Sequence, residues 1–346
     1  MGLDSTLNTS QLRRELALRN RRWACGRLHV ESYGGDPVVV YAPEDDNAST
    51  GVLHSTPCHG NFFDPAYAAI LSRPAWMKRF NKVHPLARRS LPKLTADPAR
   101  RWRELDSCMS SDALLMNIFC TPGIVESEAV RGVLGIDGNA VPEFGWRARV
   151  PLRKGLTDRT EVDMRLGSLL VEAKLTETDF QSCKPAVIES YRDFDEVFER
   201  DLLPKTQIVL GRRKEAAEFP EDYSQEYEPI VTEPNIFTMP GRSPVVALEP
   251  GYASYQLIRN TLAAYAQGCS FCVIHDERRP DLREAWFKVM AAVKSADMRV
   301  RLKVLTWQEL AALLPHDLQE FLDLKYGIAS PGNLASVFGD AESDRN

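Results

Sequence analysis

The stretch from Thr160 to Lys174, TEVDMRLGSLLVEAK, constrains the fold more than any other part of the chain. Two apolar-rich runs flank Gly167-Ser168, and a Gly-Ser pair is a favoured two-residue hairpin loop. With those two residues in the loop, Leu166 faces Leu169, and counting outward sets Asp163 opposite Glu172. Opposed residues of an antiparallel pair share a face, with Cβ atoms about 5 Å apart. Lys174 lies two residues beyond Glu172 and so shares that face. Val162, Met164, Val171 and Ala173 are expected to point the other way, into a core.

Two adjacent carboxylates repel each other unless a cation lies between them. A divalent cation that prefers oxygen ligands, such as Mg²⁺, would fill that gap. A neighbouring lysine can orient or deprotonate a water, or hold a phosphate oxygen. Phosphodiester hydrolysis fits this set of groups. The plainer alternative is a surface hairpin with an ordinary carboxylate–lysine pair.

Asp163 followed by Glu172-Ala173-Lys174 resembles the PD-(D/E)xK nuclease superfamily, which has the restriction-endonuclease-like fold. Val162 stands where that pattern usually has proline. The longer run from Arg159 to Phe180 resembles a bacterial branch of the superfamily, and its αβββαβ pattern can be laid over roughly residues 100–306. The resemblance implies an α/β fold: a mixed central sheet with strands near 144–150, 161–166 and 169–174, flanked by helices. It implies Mg²⁺, or Mn²⁺, held by Asp163, Glu172 and the Ala173 carbonyl, with Lys174 positioning or activating water. By its place in the run Trp102-Arg103-Glu104-Leu105, Glu104 would complete the carboxylate set, with Glu126 and Glu128 as competitors. Gln256, or Arg259 one turn on, holds the place of a polar residue that points back at the site. The partner implied is DNA, with RNA and a homo-oligomer left open. Inactive or recruited copies occur in the superfamily, so a catalytically idle binding module stays open as well.

The rest of the chain is compatible with this reading. Lys and Arg number 43 against 48 Asp and Glu, a formal charge of -5. That balance argues against a protein coated with nucleic acid, while a local basic groove remains allowed. No cationic start followed by an apolar run occurs, and no apolar stretch reaches the length of about 18 residues that a span needs. A signal peptide and a membrane helix are therefore not expected. The seven cysteines suit a reducing cytoplasm better than a disulfide framework.

The expected layout is an N-terminal, mainly helical extension (1–98), a nuclease-like domain (99–327) and a tail (328–346). An irregular insertion at 213–247 is marked by repeated prolines and an acidic run. In the extension, Ser10 to Trp23 reads as a helix carrying Arg13, Arg14, Arg19, Arg21 and Arg22. It is either a solvated face or a contact for a phosphate backbone. The stretch from Trp76 to Arg89 interleaves basic residues with Trp76 and Phe80, as an amphipathic helix or a nucleic-acid surface would. His54, Cys58 and His59 are three zinc-type ligands without a fourth, which favours an ordered loop over a zinc site. Cys269-x2-Cys272 likewise lacks a second pair.

A long helix is expected from Ala99 to about Phe119, with Ser110 or Ser111 able to restart it as an N-cap. Glu143 to Val150 reads as a strand with Arg147 and Arg149 on one face, and Glu177 as a residue orienting Lys174. Toward the C-terminus, helices at 252–267 and 281–293 alternate with strands at 270–275 and 299–305, and two short helices close the fold. This is the crossover grammar of an α/β sheet.

Overall fold

A computed structural model describes residues 6–24, 29–32, 38–41, 59–83, 103–138, 140–209 and 248–328. His54, Cys58, residues 84–89 with Arg88 and Arg89, Trp102, the 213–247 insertion and the tail from 329 onward lie outside the described residues.

Five strands form the central sheet: β1 (Glu143–Arg147), β2 (Glu161–Leu166), β3 (Leu169–Ala173), β4 (Ser270–His275) and β5 (Leu302–Thr306). Their order across the sheet is β5-β4-β3-β2-β1. The first three form an antiparallel meander, and β4 and β5 run parallel to β3. Parallel neighbours need crossover connections. Helix α5 (Tyr255–Gln267) leads into β4, and α6 (Pro280–Ala292) lies between β4 and β5. The hairpin register is as counted, Leu166 opposite Leu169 and Met164 opposite Val171, and Gly167 takes the positive φ that its tight loop demands.

Every residue of β3 is buried, because β3 is the middle strand and both faces of the sheet are covered. On one face Met164, Leu166, Leu169, Val171 and Ala173 pack with α4 (Ser111–Phe119), α7 (Trp307–Ala311) and α8 (His316–Tyr326). Helix α1 (Thr9–Ala24) adds Leu12 and Leu16 to that cluster. On the other face Leu170, Phe271 and Val273 pack with Leu257 and Ile258 of α5 and Trp286 of α6. A third cluster joins α2 (Asp64–Ser72) and α3 (Pro74–Phe80) to α4 through Ile70, Trp76, Phe80 and Met116. Trp76 Nε1 ties this cluster to the sheet by donating to the Pro142 carbonyl at 2.9 Å. Among the described residues no helix is long and apolar enough to cross a membrane.

Several local expectations differ from the structure: the strand expected at 299–305 starts only at Leu302, after a short helix Ala296–Arg299, and the strand expected to reach Val150 ends at Arg147. The long helix before the sheet is interrupted: residues 104–106 make one 3-10 turn, and α4 begins only at Ser111. Ser107 Oγ accepts from Met109 N–H and Ser110 Oγ from Ala113 N–H, so side-chain hydroxyls take the amides that a continuous helix would use. Tyr252 belongs to a strand (Leu248–Ala253), and α5 starts after Ser254, whose φ is +60°. Val162 is buried, but in the second cluster beside Ala148, Val150 and Leu170. Beyond Met164–Val171, β2 parts from β3 and continues against β1 alone, which turns Val162 away from Met164.

Trp307 is fully buried in the first cluster, and its Nε1 donates to the Lys174 carbonyl at 2.9 Å. Trp307→Ala is expected to cost about 3–5 kcal/mol in denaturant unfolding. Trp307→Phe keeps most of the volume but leaves that carbonyl without its donor, so about 1–3 kcal/mol is expected.

Candidate active site

The parting of β2 from β3 creates the site. Where the ladder stops, the Ala173 N–H donates to Asp163 Oδ2 at 2.7 Å instead of to a strand carbonyl. The Asp163 carboxylate thus bridges the opening between the two strands. Glu172 and Lys174 follow on β3, with Lys174 Nζ 2.8 Å from Glu172 Oε1. Both are almost fully buried, at 1% and 5% exposure. The remaining carboxylate oxygen, Glu172 Oε2, accepts from Asn260 Nδ2 on α5 at 2.7 Å. Lys174 Nζ lies 5.5 Å from the Phe180 ring centroid, with its ammonium over the ring. Its backbone N–H donates to the Ile274 carbonyl at 2.8 Å, and its carbonyl is held by Trp307.

The electrostatics follow from this enclosure. Burial, then the Glu172 charge, pushes the Asp163 carboxyl up to about 7; Lys174 and the Ala173 N–H offset part of that rise. Burial alone would lower Lys174, but Glu172, Glu177 and Asp163 outweigh it and hold its ammonium above the ordinary lysine range. Arg259, packed over the Tyr255 ring with Nη2 3.3 Å from the Glu161 carbonyl, adds a second, half-buried cation.

Glu104 is placed elsewhere than with the other two carboxylates. Its Oε2 lies 3.2 Å from Arg79 Nη1 and 3.4 Å from Lys82 Nζ. The same cations reach Glu161, at 3.5 and 2.9 Å, and Arg79 also pairs with Asp112. Gly145 makes room for this rim: it takes a φ of +60°, and a Cβ there would come within 3.2 Å of Glu161 Oε1 and 3.4 Å of Arg79 Cδ. Among the described residues no group of three or more His, Cys, Asp or Glu side chains is placed to hold a metal ion. Asp163 and Glu172 alone fit a sparser mode, in which Mg²⁺ takes one or two carboxylates and fills its sphere with water and phosphate oxygens. Such a cation would offset both the burial and the Glu172 charge that lift Asp163.

The other candidates are distributed as follows. Gln256 anchors α5 through its backbone, its N–H donating to the Phe180 carbonyl at 3.0 Å; Asn260 is the α5 residue that reaches Glu172. Glu126 and Glu128 are exposed beside the Glu128–Leu134 helix, and Arg147 and Arg149 are exposed at the end of the meander. Glu177 accepts from Ser111 Oγ at 2.6 Å and from the Leu175 N–H at 2.7 Å, a pivot just beyond Lys174. His59 has both ring nitrogens engaged, Nε2 with Asp106 Oδ1 at 3.1 Å and Nδ1 with the Asn61 N–H at 3.1 Å, and burial lowers its pKa. Cys269 and Cys272 are free thiols in different clusters, and burial pushes Cys272 up to about 12. Asn260 and Arg79 escape a reading of the sequence alone. The available signal for Asn260 is an amide on the stripe of α5 that otherwise carries Leu257 and Ala264.

A family model described as "restriction endonuclease associating with ARP" matches residues 19–327. The chain belongs to that family. Its mixed sheet flanked by helices is the architecture of a restriction-endonuclease-like protein, and membership points to nuclease function. Nothing matches among curated proteins or among solved structures.

Two outcomes test the geometry. The raised Asp163 carboxyl holds a proton in the folded chain that the unfolded chain, with its ordinary value of 3.8, has already released. Stability therefore falls as pH rises from about 4 to about 7, and the cost is complete above that window. In chelator, Asp163→Asn is expected to melt at a higher temperature than wild type at pH 8, with the gap closing toward pH 4. Asn260→Ala leaves Glu172 Oε2 buried without its donor and is expected to cost about 1–3 kcal/mol in urea unfolding at pH 7.

Proposed function

We propose that the chain is a metal-dependent nuclease of PD-(D/E)xK type that cleaves phosphodiester bonds in DNA. The observation that carries this reading is the convergence of Asp163, Glu172 and Lys174 where β2 and β3 part, in a restriction-endonuclease-like chain. Asp163 and Glu172, with the Ala173 carbonyl, would hold Mg²⁺ or Mn²⁺, which supplies charge stabilisation at the phosphate and lowers the pKa of a bound water. Lys174 holds a phosphate oxygen or the attacking water through its ammonium. Asn260 keeps Glu172 oriented, and Trp307 and Ile274 fix the backbone that carries Lys174. Glu104 acts through Arg79 and Lys82 at the rim, with no direct bond to a metal. The cytoplasm is the compartment proposed, in keeping with the free thiols. The family's description also names an association with ARP, and a working partnership of that kind is part of the proposal.

A second reading is a catalytically idle domain that binds nucleic acid or a protein. It is favoured by the closed Glu172–Lys174 ion pair and by the commitment of Glu104 to other cations.

The test is cleavage of single-stranded, double-stranded, nicked and branched DNA, with RNA alongside, in Mg²⁺, Mn²⁺ and chelator. Wild type is expected to cut only with the ion, and Lys174→Ala and Asp163→Asn to lose on the order of 100-fold or more in rate while remaining folded. Equal activity in all three proteins would mean a contaminating enzyme and end the assignment. No activity on any substrate, with no Mn²⁺ binding, would select the idle domain.

A further inference from the structure

Helix α1 has two different stripes. Leu12, Leu16 and Asn20 are fully buried, and Asn20 Nδ2 donates to the Lys325 carbonyl of α8 at 3.3 Å. The opposite stripe, Ser10, Arg14, Ala17 and Arg21, follows the i, i+4, i+7, i+11 spacing of one helix face. Together with Arg13 and Thr178 it lines a groove of about 650 Å³. Arg14 and Arg21 are exposed, and among the described residues no carboxylate pairs with Arg13, Arg14 or Arg21. The neighbouring Glu15 is already taken by Arg19 and Arg278, at 2.8 and 2.9 Å.

The groove has a defined relation to the candidate site. Arg13 Nε donates to the Thr176 carbonyl at 3.4 Å, two residues beyond Lys174, and Thr178 forms part of the wall. Arg13 and Thr178 thus place one wall of the groove beside the segment that follows Lys174, on the face of the sheet that α1 covers. Arg14 and Arg21 are about 10 Å apart along the helix axis, a span of about three base-pair steps at 3.4 Å each.

We propose that this groove is a binding surface for a nucleic-acid backbone, in which Arg14 and Arg21 contact phosphates of the strand presented to Lys174. The choice of occupant rests on the nuclease reading above. The charge complementarity rests on the groove itself: a cationic stripe with no paired carboxylate among the described residues, on a chain whose formal charge is -5. Guanidinium groups suit phosphate oxygens by geometry as well as by charge, and between them the lining is Ala17, the exposed Leu18 and the hydroxyl side chains of Thr9, Ser10 and Thr178.

The experiment is fluorescence anisotropy with labelled duplex DNA, single-stranded DNA and RNA in chelator, over a range of NaCl, for wild type, R14Q/R21Q and R14K/R21K. A polyglutamate peptide serves as the acidic-protein probe, and thermal melting confirms the fold. R14Q/R21Q is expected to bind on the order of tenfold more weakly near 0.1 M salt, with the slope of log affinity against log salt reduced by about 2. R14K/R21K should keep most of the binding. An unchanged slope in R14Q/R21Q overturns the proposal, as does arginine-dependent binding of polyglutamate without binding of any nucleic acid. Cleavage with Mg²⁺ by wild type, together with unchanged binding in R14Q/R21Q, removes the surface and leaves the nuclease reading. Arginine-dependent binding by a wild type that never cleaves does the reverse.

Discussion

Glu172 sits in the middle strand of the sheet with almost no contact with water, and its neighbourhood is organised to make that tolerable. An unpaired carboxylate in such a place costs several kcal/mol, and a paired one breaks even only when its remaining oxygens are satisfied. Lys174 provides the countercharge and Asn260 the hydrogen bond, from opposite directions. Each then needs its own support. Lys174 is locked by backbone bonds to Ile274 and Trp307, and Asn260 by the packing of α5 on the sheet. A surface hairpin with an exposed ion pair would need none of this. The burial is thus an argument that the pair serves a purpose other than stability.

The hairpin, its loop and its register could be read from the sequence because they depend on local information: a period of two, a Gly-Ser turn and a count outward from it. The later strands and helices were legible for the same reason, since apolar density and helical spacing are properties of short windows. What sequence alone could not supply was the point where pairing stops. Nothing in Val162-Asp163 announces that β2 leaves β3 there, or that the carboxylate of Asp163 takes an amide across the gap. The break at Ser107–Ser110 was half visible, as a possible cap, and its extent depends on hydroxyls competing with the helix for amides.

Glu104 shows a different limit. Its place in the chain suggested a carboxylate for the metal centre, but its neighbours in space are Arg79 and Lys82, which come from α3 and its end. A carboxylate between two cations is held by charges that local patterning cannot foresee. The same pair of cations reaches Glu161, on the strand that carries Asp163, so the rim and the opening between the strands are mechanically joined. Gly145 is the concession that lets them meet: it holds a φ of +60°, and a Cβ there would crowd the Glu161 carboxylate and touch Arg79.

The bond from Trp307 to the Lys174 carbonyl has a consequence in time. Chains are made from the N-terminus, and domains fold as units once enough of them has emerged. Asp163, Glu172 and Lys174 are synthesised well before Asn260, before the strand that pairs with β3, and before Trp307. A nascent chain, or one ended prematurely, carries the whole motif without the residues that hold it in place. Order among the charged groups therefore arrives late in synthesis, when β4 has paired with β3 and the helix after β5 brings Trp307 to the Lys174 carbonyl. Fragments of this protein would display the sequence signature and lack the site.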